Sequence, residues 1–554
     1  MALSLVNVGT TPNDGAGDPL RTAFQTVNTA LTLLNSVVFN VSAYGAVGDG
    51  TTNDAPAIQA CIDAVPAAGG VVQLIDGTFL CNDEILLPSN ITLVGSRSSI
   101  LKMGATLDKP LLTNASKGTG TETDITLIGF TINGNKASQT PLAEGDGVKL
   151  YQTDRARIFG LYIYNTEGHG IHFNNAGAQI EGQEVHNCTI TGAGSSNVGT
   201  YGSCLAITDG YHVRLSDLFL ADSAKAGMRL SGTGYAINNV QALRNGNGGL
   251  VPVSGDFNSS TITGGNYSFS GPYANNDGMR LVNVKDIAIS GVICEQNAGA
   301  GILLLNGCEN VTINGVVAKN NGQNTDAVTG TTSKNGIAVK DDGTANDGVR
   351  ITNCDCYDDQ GAATQEYGIS VENQTANTLI SSCGVGTNKT AKLNIASSAD
   401  TVRIVGVDGY AAMAQSATAV PITATTATVD LVAATVAANS VARKSGIRLV
   451  ACGTITGTAG TKLFSLNVGG SSLNFSTAAA GVSGDWFIDV EIWFNTTSSQ
   501  RIMGRAGIGS TFVDAFYSTE TQDYTSAKTI KLSGKLGNGA DNITMNWYSI
   551  RPIE

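Results

Sequence analysis

One four-residue pattern constrains this chain more than any other: a glycine, an apolar residue, any residue, and a second apolar residue. It opens at Gly147 ("GVKL"), Gly170 ("GIHF"), Gly227 and Gly278 (both "GMRL"), Gly301 ("GILL"), Gly336 ("GIAV") and Gly368 ("GISV"), with looser copies at Gly202 and Gly249. Between Gly147 and Gly368 the chain advances 221 residues in eight steps, about 28 residues each, inside the range of repeat architectures. Each repeat carries a further strand pair after a short turn, as in "RIFGLYIYN", "VRLSDLFLAD", "IAISGVICEQN" and "VTINGVVAKNN". Two or three short strands per repeat with no helix between them stack into a parallel β-helix, so the chain is expected to be all-β.

Composition agrees with this reading. Gly counts 68 of 554 residues against 11 Pro, without a Gly-X-Y period, which fits many turns and excludes collagen. A hydrophobic share of 42% against 14% charged excludes a disordered chain. The net charge of −13 argues against nonspecific DNA binding, so nucleic acid is not an expected partner. No run reaches the roughly 18 apolar residues that span a bilayer, and the opening "MALSLVNVGTTPND" has neither a basic nor a continuous apolar segment. Neither a signal peptide nor membrane insertion is expected. The ten cysteines are dispersed without a CxxC pair; Cys354 and Cys356 share a strand face and read as buried free thiols.

Four segments follow from pattern. In residues 1–39, Leu20, Phe24, Val27, Leu31, Leu34 and Val38 alternate spacings of four and three, a helical seam that wants partner helices or a neighbouring domain. Asp18 is the expected N-cap, with Pro19 at the first helical position. Residues 40–409 are the β-helix body. Within it Ala57, Ile58, Cys61, Ile62 and Val65 form a one-sided stripe suited to capping the first coil. Residues 410–444 are Ala/Thr/Val-rich and read as a connector. In 445–554 the period becomes antiparallel: "WFIDVEIWF" sets Trp486, Ile488, Val490, Ile492 and Phe494 on one face, Asp489 and Glu491 on the other. This predicts a C-terminal β-sandwich, either a trimerising closure or a carbohydrate-binding module.

The stretch "YGAVGDGTTNDAPAIQACIDAVPAAGGVVQLIDGTFL" resembles the opening of the pectate-lyase-like right-handed β-helix family, which includes pectinases and many bacteriophage tailspikes. "NVGTTPNDGAGDPLRTAFQTVNTALTLLN" is similar to the leader segments of phage tail proteins. Together they cover about the first ninety residues, and the repeats extend the fold to residue 409. The resemblance implies a homotrimer on the virion, attached through its N-terminus to a phage tail or baseplate protein, that binds and usually cleaves a bacterial surface polysaccharide.

In the motif the two apolar residues point inward and the third position points out. Stacking then makes a row: Lys149, His172, Ala206, Arg229, Val251, Arg280, Leu303, Ala338 and Ser370, basic in its earlier part. Tyr162 and Tyr164 precede the turn "NTEGHG", and Phe219 lies in a nearby coil. Cations beside aromatic rings suit an acidic sugar chain; a merely solvated face is the ordinary alternative. Lys149, Arg229, Arg280, Tyr162 and Phe219 are thus the expected binding residues.

Two chemistries stay open for the catalytic set Glu167, Asp146, His169, His172, Tyr164 and Asp222. Hydrolysis needs two carboxylates flanking the scissile bond, and Asp146, Glu167 and Asp222 lie at neighbouring coil turns. Lyase chemistry needs a cation for a uronate and a base, which Lys149, Arg229, Tyr164 and His172 would serve. "GHG" at 168–170 resembles one polygalacturonase motif, but the accompanying Asn-Thr-Asp and Asp-Asp elements are not in place, so that mechanism is not transferred. HxxH at His169 and His172 is not expected to bind metal, because on a strand the two would face oppositely. No cofactor is expected. The rival readings are a non-catalytic adhesin of the same fold and a purely structural virion protein.

Overall fold

The structure is a computed structural model. It describes residues 6–7, 15, 17, 19–35, 38–178, 180–195, 202–252, 257–271, 276–323, 333–372, 377–395, 402–405, 407, 414–416, 420–423, 425–436, 446–457, 460–478, 483–496, 499–508, 511–520 and 528–553. The chain divides into two compact units, Met1–Met279 and Arg280–Glu554.

In the first unit helix α1, Leu20–Asn35, begins one residue later than expected. The Pro19 carbonyl accepts the Ala23 N–H at 2.9 Å, so Pro19 itself holds the cap position, and Asp18 lies outside the described residues. Leu20, Phe24 and Val27 are exposed along the seam; the side chains of Leu31 and Leu34 lie outside the described set. Helix α2, Ala55–Asp63, buries Ile58, Cys61 and Ile62 against the first strands, Val38–Asn40, Gly77–Cys81 and Ile85–Leu87, as a cap at the start of the coils should. Asp54 precedes it without capping it. Its carboxylate instead accepts the N–H groups of Val47 at 2.7 Å and Gly48 at 3.1 Å, fixing the glycine turn that leads in.

Each coil behind this cap is built from three short strands. The glycine-led strands Val148–Tyr151, Ile171–Asn174, Leu205–Tyr211 and Ala226–Thr233 pair in parallel, preceded by Leu112–Asn114, which stacks in the same row without a leading glycine. Their inward residues Val148, Leu150, Ile171, Phe173, Met228 and Leu230 are fully buried. A Cβ on Gly147 would stand 2.7 Å from the Gly170 carbonyl oxygen. The repeated glycine is therefore a requirement of backbone-to-backbone stacking.

The second unit repeats the plan in Ile302–Leu305, Ile337–Lys340, Tyr367–Val371 and Ala391–Ile395, and a Cβ on Gly336 would meet the Gly368 oxygen at 2.5 Å. The turns that feed these strands are tied by a row of buried amides. Asn297 donates to Asn321 at 3.0 Å, Asn321 to Gln365 at 3.0 Å, and Gln365 to Asn388 at 2.8 Å, which satisfies polar groups that the turns would otherwise bury unpaired. Cys354 and Cys356 are buried. The last parallel strand, Val402–Val405, pairs with Thr378–Ser381.

Antiparallel pairing then takes over. The stretch read as a connector supplies three strands: Ala414–Ser416 and Val420–Thr423 lie on Asn542–Ile553, and Val429–Val436 lies on Lys528–Leu536. Small β-branched residues in alternation serve a sheet as well as a linker, which is why composition alone misread them. Sheets of seven and four strands enclose one core, which takes in Trp486, Ile488, Val490 and Ile492. Asp489 faces out and binds Arg448 through two contacts of 2.7 Å. Lys462 and Asp541, both fully buried, pair at 3.1 Å, with the Gly457 carbonyl and the Gly460 N–H completing their hydrogen bonds.

Candidate functional site

Backbone register in the first unit sets Thr113, Lys149, His172, Ala206 and Arg229 side by side on the outer face of the glycine-led strands. The row is more buried than the outward direction of the motif's third position led one to expect. Lys149 is 5% exposed and His172 9%, and Arg229 is half-buried. Glu144, Asp146 and His169, in the turns before the Lys149 and His172 strands, lie against those two side chains.

Asp146 is the centre of this cluster. Fully buried, it accepts the His169 N–H at 2.5 Å through Oδ1 and meets His172 Nδ1 at 3.3 Å through Oδ2. Burial pushes its carboxyl up from the usual range, against the opposing pull of His172, Lys149 and the His169 N–H. His169 is also buried. Its Nδ1 accepts the Ser203 N–H at 3.1 Å, which places any single ring proton on Nε2. Burial, then the charges of His172, Arg229 and Lys149, hold it well below the ordinary histidine value. It is a neutral ring.

His169 and His172 meet edge to face at 4.9 Å between centroids. This corrects the expectation that they face oppositely. His169 lies in the turn before the strand and not on it, so strand alternation does not apply. Among the described residues no group of three His, Cys, Asp or Glu could hold a metal ion.

Lys149 forms an ion pair with Glu144 and lies 4.8 Å from the Tyr151 ring centroid. Burial alone would lower its pKa. The hydrogen bonds with Glu144 and Tyr151 and the charges of Asp146 and Glu144 outweigh it, and the shift is upward. The Tyr151 hydroxyl donates to Glu144 at 3.4 Å. Sequence reasoning missed both partners. Tyr151 was within reach of it, since "GVKLY" puts Tyr151 two residues after Lys149 and on the same face; nothing in the spacing marks Glu144.

Other candidates are placed elsewhere. Tyr162 pairs in register with Thr131 and Thr189, and Thr189 with Phe219, a row on the third strand of each coil and not on the glycine-led one. Tyr162 and Tyr164 stack at 5.2 Å, and Arg97 lies 3.9 Å over the Tyr162 ring. Burial, then the neighbouring Tyr162, raises the Tyr164 pKa. Glu167 is buried, with its carboxylate accepting the Leu142 N–H at 2.6 Å and the Ser195 hydroxyl. Asp222 is held by Arg244 in two contacts of 2.8 and 2.9 Å at an exposed turn. Each of the three carboxylates proposed for hydrolysis is thus engaged by partners of its own. Arg280 is half-buried and belongs to the second unit. In the stretch "TGAGSSNVGTYGS" between the strands Ile171–Asn174 and Leu205–Tyr211, residues 196–201 lie outside the described residues.

Residues 38–251 match the family model described as rhamnogalacturonase A/epimerase, pectate lyase-like. That stretch is thus similar to a pectate-lyase-like domain, and the chain's relatives include phage depolymerase and appendage proteins as well as mannuronan epimerases and an alginate lyase of Azotobacter vinelandii. It is 27% identical over 203 residues to the capsule KN3-specific Depolymerase 1 of Klebsiella phage KN3-1, covering 33% of this chain and 24% of that protein. To the preneck appendage protein of Bacillus phage PZA it is 26% identical over 427 residues, covering 64% of this chain and 48% of the other. The chain therefore spans less than half the length of these curated relatives. Among solved structures, the tailspike protein gp49 from Pseudomonas phage LKA1 aligns at 12% identity over 90% of this chain and 99% of that one, with a TM-score of 0.49.

Proposed function

We propose that this chain is a phage tailspike-type protein whose first unit binds a uronate-containing bacterial surface polysaccharide and cleaves it by β-elimination. The observation that carries the reading is the Asp146–His172 contact at 3.3 Å on a row that also holds Lys149 and Arg229. With Nδ1 engaged by Asp146, His172 Nε2 is the nitrogen that takes the C5 proton of the uronate. Lys149 and Arg229 stabilise the carboxylate as charge builds on it. The C4–O bond breaks, a C4=C5 double bond forms, and the leaving oxygen takes a proton from the Tyr151 hydroxyl. Hydrolysis fits less well, because Asp146 and Glu167 are buried and already accept main-chain hydrogen bonds. The relative named as a capsule-specific depolymerase supports a capsular glycan as the substrate class.

A second reading, adhesion without turnover, is favoured by one observation: the Lys149 charge is already answered by Glu144. Purified protein incubated with a panel of capsular and O-antigen polysaccharides separates these. New reducing ends with rising ultraviolet absorbance from a conjugated double bond mean β-elimination. Reducing ends alone mean hydrolysis, and binding with neither means adhesion. A further part of the proposal is that the exposed α1 seam of Leu20, Phe24 and Val27 is covered by two other copies in a virion-attached trimer. Light scattering should then report about three times 56.8 kDa, and a monomer mass would contradict it.

A further inference from the structure

Towards the ends of the glycine-led strands of the first unit, Leu205–Tyr211 and Ala226–Thr233 fall out of step. Ile207 stands opposite Leu230, but Gly210 stands opposite Gly232, so Thr208 and Asp209 together face Ser231 alone. This is a β-bulge, an irregularity that re-aims side chains and is enriched beside active sites. Asp209 adopts φ +52°. Its N–H donates to Ser231 Oγ at 2.9 Å, and its carboxylate accepts the Gly177 N–H of the preceding coil at 3.2 Å. Beyond the bulge two backbones touch: a Cβ on Gly232 would stand 2.0 Å from the Gly210 oxygen.

The result is an open trough of about 260 Å³, lined by Gly210 and Gly232 together with Asp209, Tyr211, Thr233 and Asn258. Ala178 lines it from the coil before. By the usual strand spacing it crosses four coils, roughly 14 Å. It is smaller than the roughly 300 Å³ at which drug-sized ligand sites begin, which leaves room for one or two ring-sized groups. Tyr211 is half-buried and braced edge to face by His212 at 4.8 Å.

We infer that this trough is a subsite for a neutral sugar of the glycan, an inference that rests on the function proposed above. The braced Tyr211 ring offers a face for sugar C–H groups, and the Asp209 carboxylate accepts hydroxyls. The same carboxylate repels a uronate. The row with Lys149 and Arg229 has the opposite preference, and Arg229 and Thr233 belong to one strand. Two neighbouring sites of opposite charge select a heteropolysaccharide in which a neutral residue adjoins an acidic one.

The test titrates the parent protein, Tyr211→Ala, Tyr211→Phe, Asp209→Asn and Arg229→Ala against an array of purified capsular and O-antigen heteropolysaccharides, with polygalacturonate as the purely acidic control. The expected result is a parent that binds a heteropolysaccharide in preference to polygalacturonate. Tyr211→Ala, with unchanged melting, should bind that glycan about tenfold more weakly, Tyr211→Phe should bind it as the parent does, and Asp209→Asn should gain affinity for polygalacturonate. Parent-like binding by Tyr211→Ala beside lost binding by Arg229→Ala overturns the subsite and leaves the proposed function standing. A parent that prefers polygalacturonate overturns it too, and a parent that binds nothing on the array counts against both.

Discussion

The outward row of the glycine-led strands has one character in the first unit and another in the second. In the first it reads Thr113, Lys149, His172, Ala206 and Arg229; in the second it includes Leu303, Ala338 and Ser370. Register, inward core and stacking glycine are alike. Yet Leu303, Leu305, Ala300 and Ala338 form a small buried apolar cluster, while the first row buries an imidazole–carboxylate contact between two cations. The coil determines where a side chain stands and leaves its chemistry to the residue. A site therefore shows itself where the outward residue is one that packing alone would not choose, since buried charge and imidazole cost stability unless they are partnered.

That contrast can be broken most severely at positions the two units share. Leu230 and Val339 both point inward and are fully buried. Leu230→Asp or Val339→Asp should cost about 3–5 kcal/mol, as an unpaired buried charge does, and soluble expression should fail for each. A soluble Leu230→Asp protein with the parent melting temperature would show that the register is misassigned. Outward changes should separate the units instead. Arg229→Ala should weaken glycan binding about tenfold or more by removing a charged hydrogen-bond partner, with little change in melting, whereas Ser370→Ala should leave binding unchanged.

A smaller effect concerns pH. His169 is held neutral, so below about pH 6.5 the unfolded chain takes up a proton that the folded chain refuses, and stability falls as pH drops. Asp146 works in the other direction. Its raised pKa means the folded state holds that proton more tightly above 3.8, a contribution lost as pH rises through the folded value. Melting followed from pH 7 to 5.5 should show a decline for the parent, by at most about 1.4 kcal/mol per pH unit, and a shallower one for His169→Asn. Equal slopes would remove His169 from the account.

Much of the architecture was legible because its causes are local. The glycine spacing marks where coils touch, and the alternation after it gives the core residues Leu150 and Leu230. The row Lys149–His172–Ala206–Arg229 followed from register alone. What sequence could not supply was cover and partnership. Exposure of the row depends on segments that return over it, and the ion pairs Lys149–Glu144 and Asp222–Arg244 depend on which turns come together in space. The strand rule failed for His169 because the turn ends after it, and element boundaries are set by hydrogen bonding that no single residue reveals. The bulge at Asp209 leaves no mark in the periodicity either, since one extra residue in a strand resembles a turn.

The central claim is that turnover belongs to the His172 row of the first unit and not to the carboxylates at its turns. It is tested most directly by comparing His172→Ala with Glu167→Gln on the polysaccharide that the parent cleaves. Both variants should be folded, since the side-chain carbonyl oxygen that Glu167→Gln retains can still accept the Leu142 N–H. His172→Ala should lose roughly a hundredfold to ten-thousandfold in turnover while binding is retained, and Glu167→Gln should cleave near the parent rate with a conjugated double bond in its product. Parent-rate cleavage by His172→Ala beside a dead Glu167→Gln would contradict that claim and return the chemistry to a hydrolytic carboxylate pair.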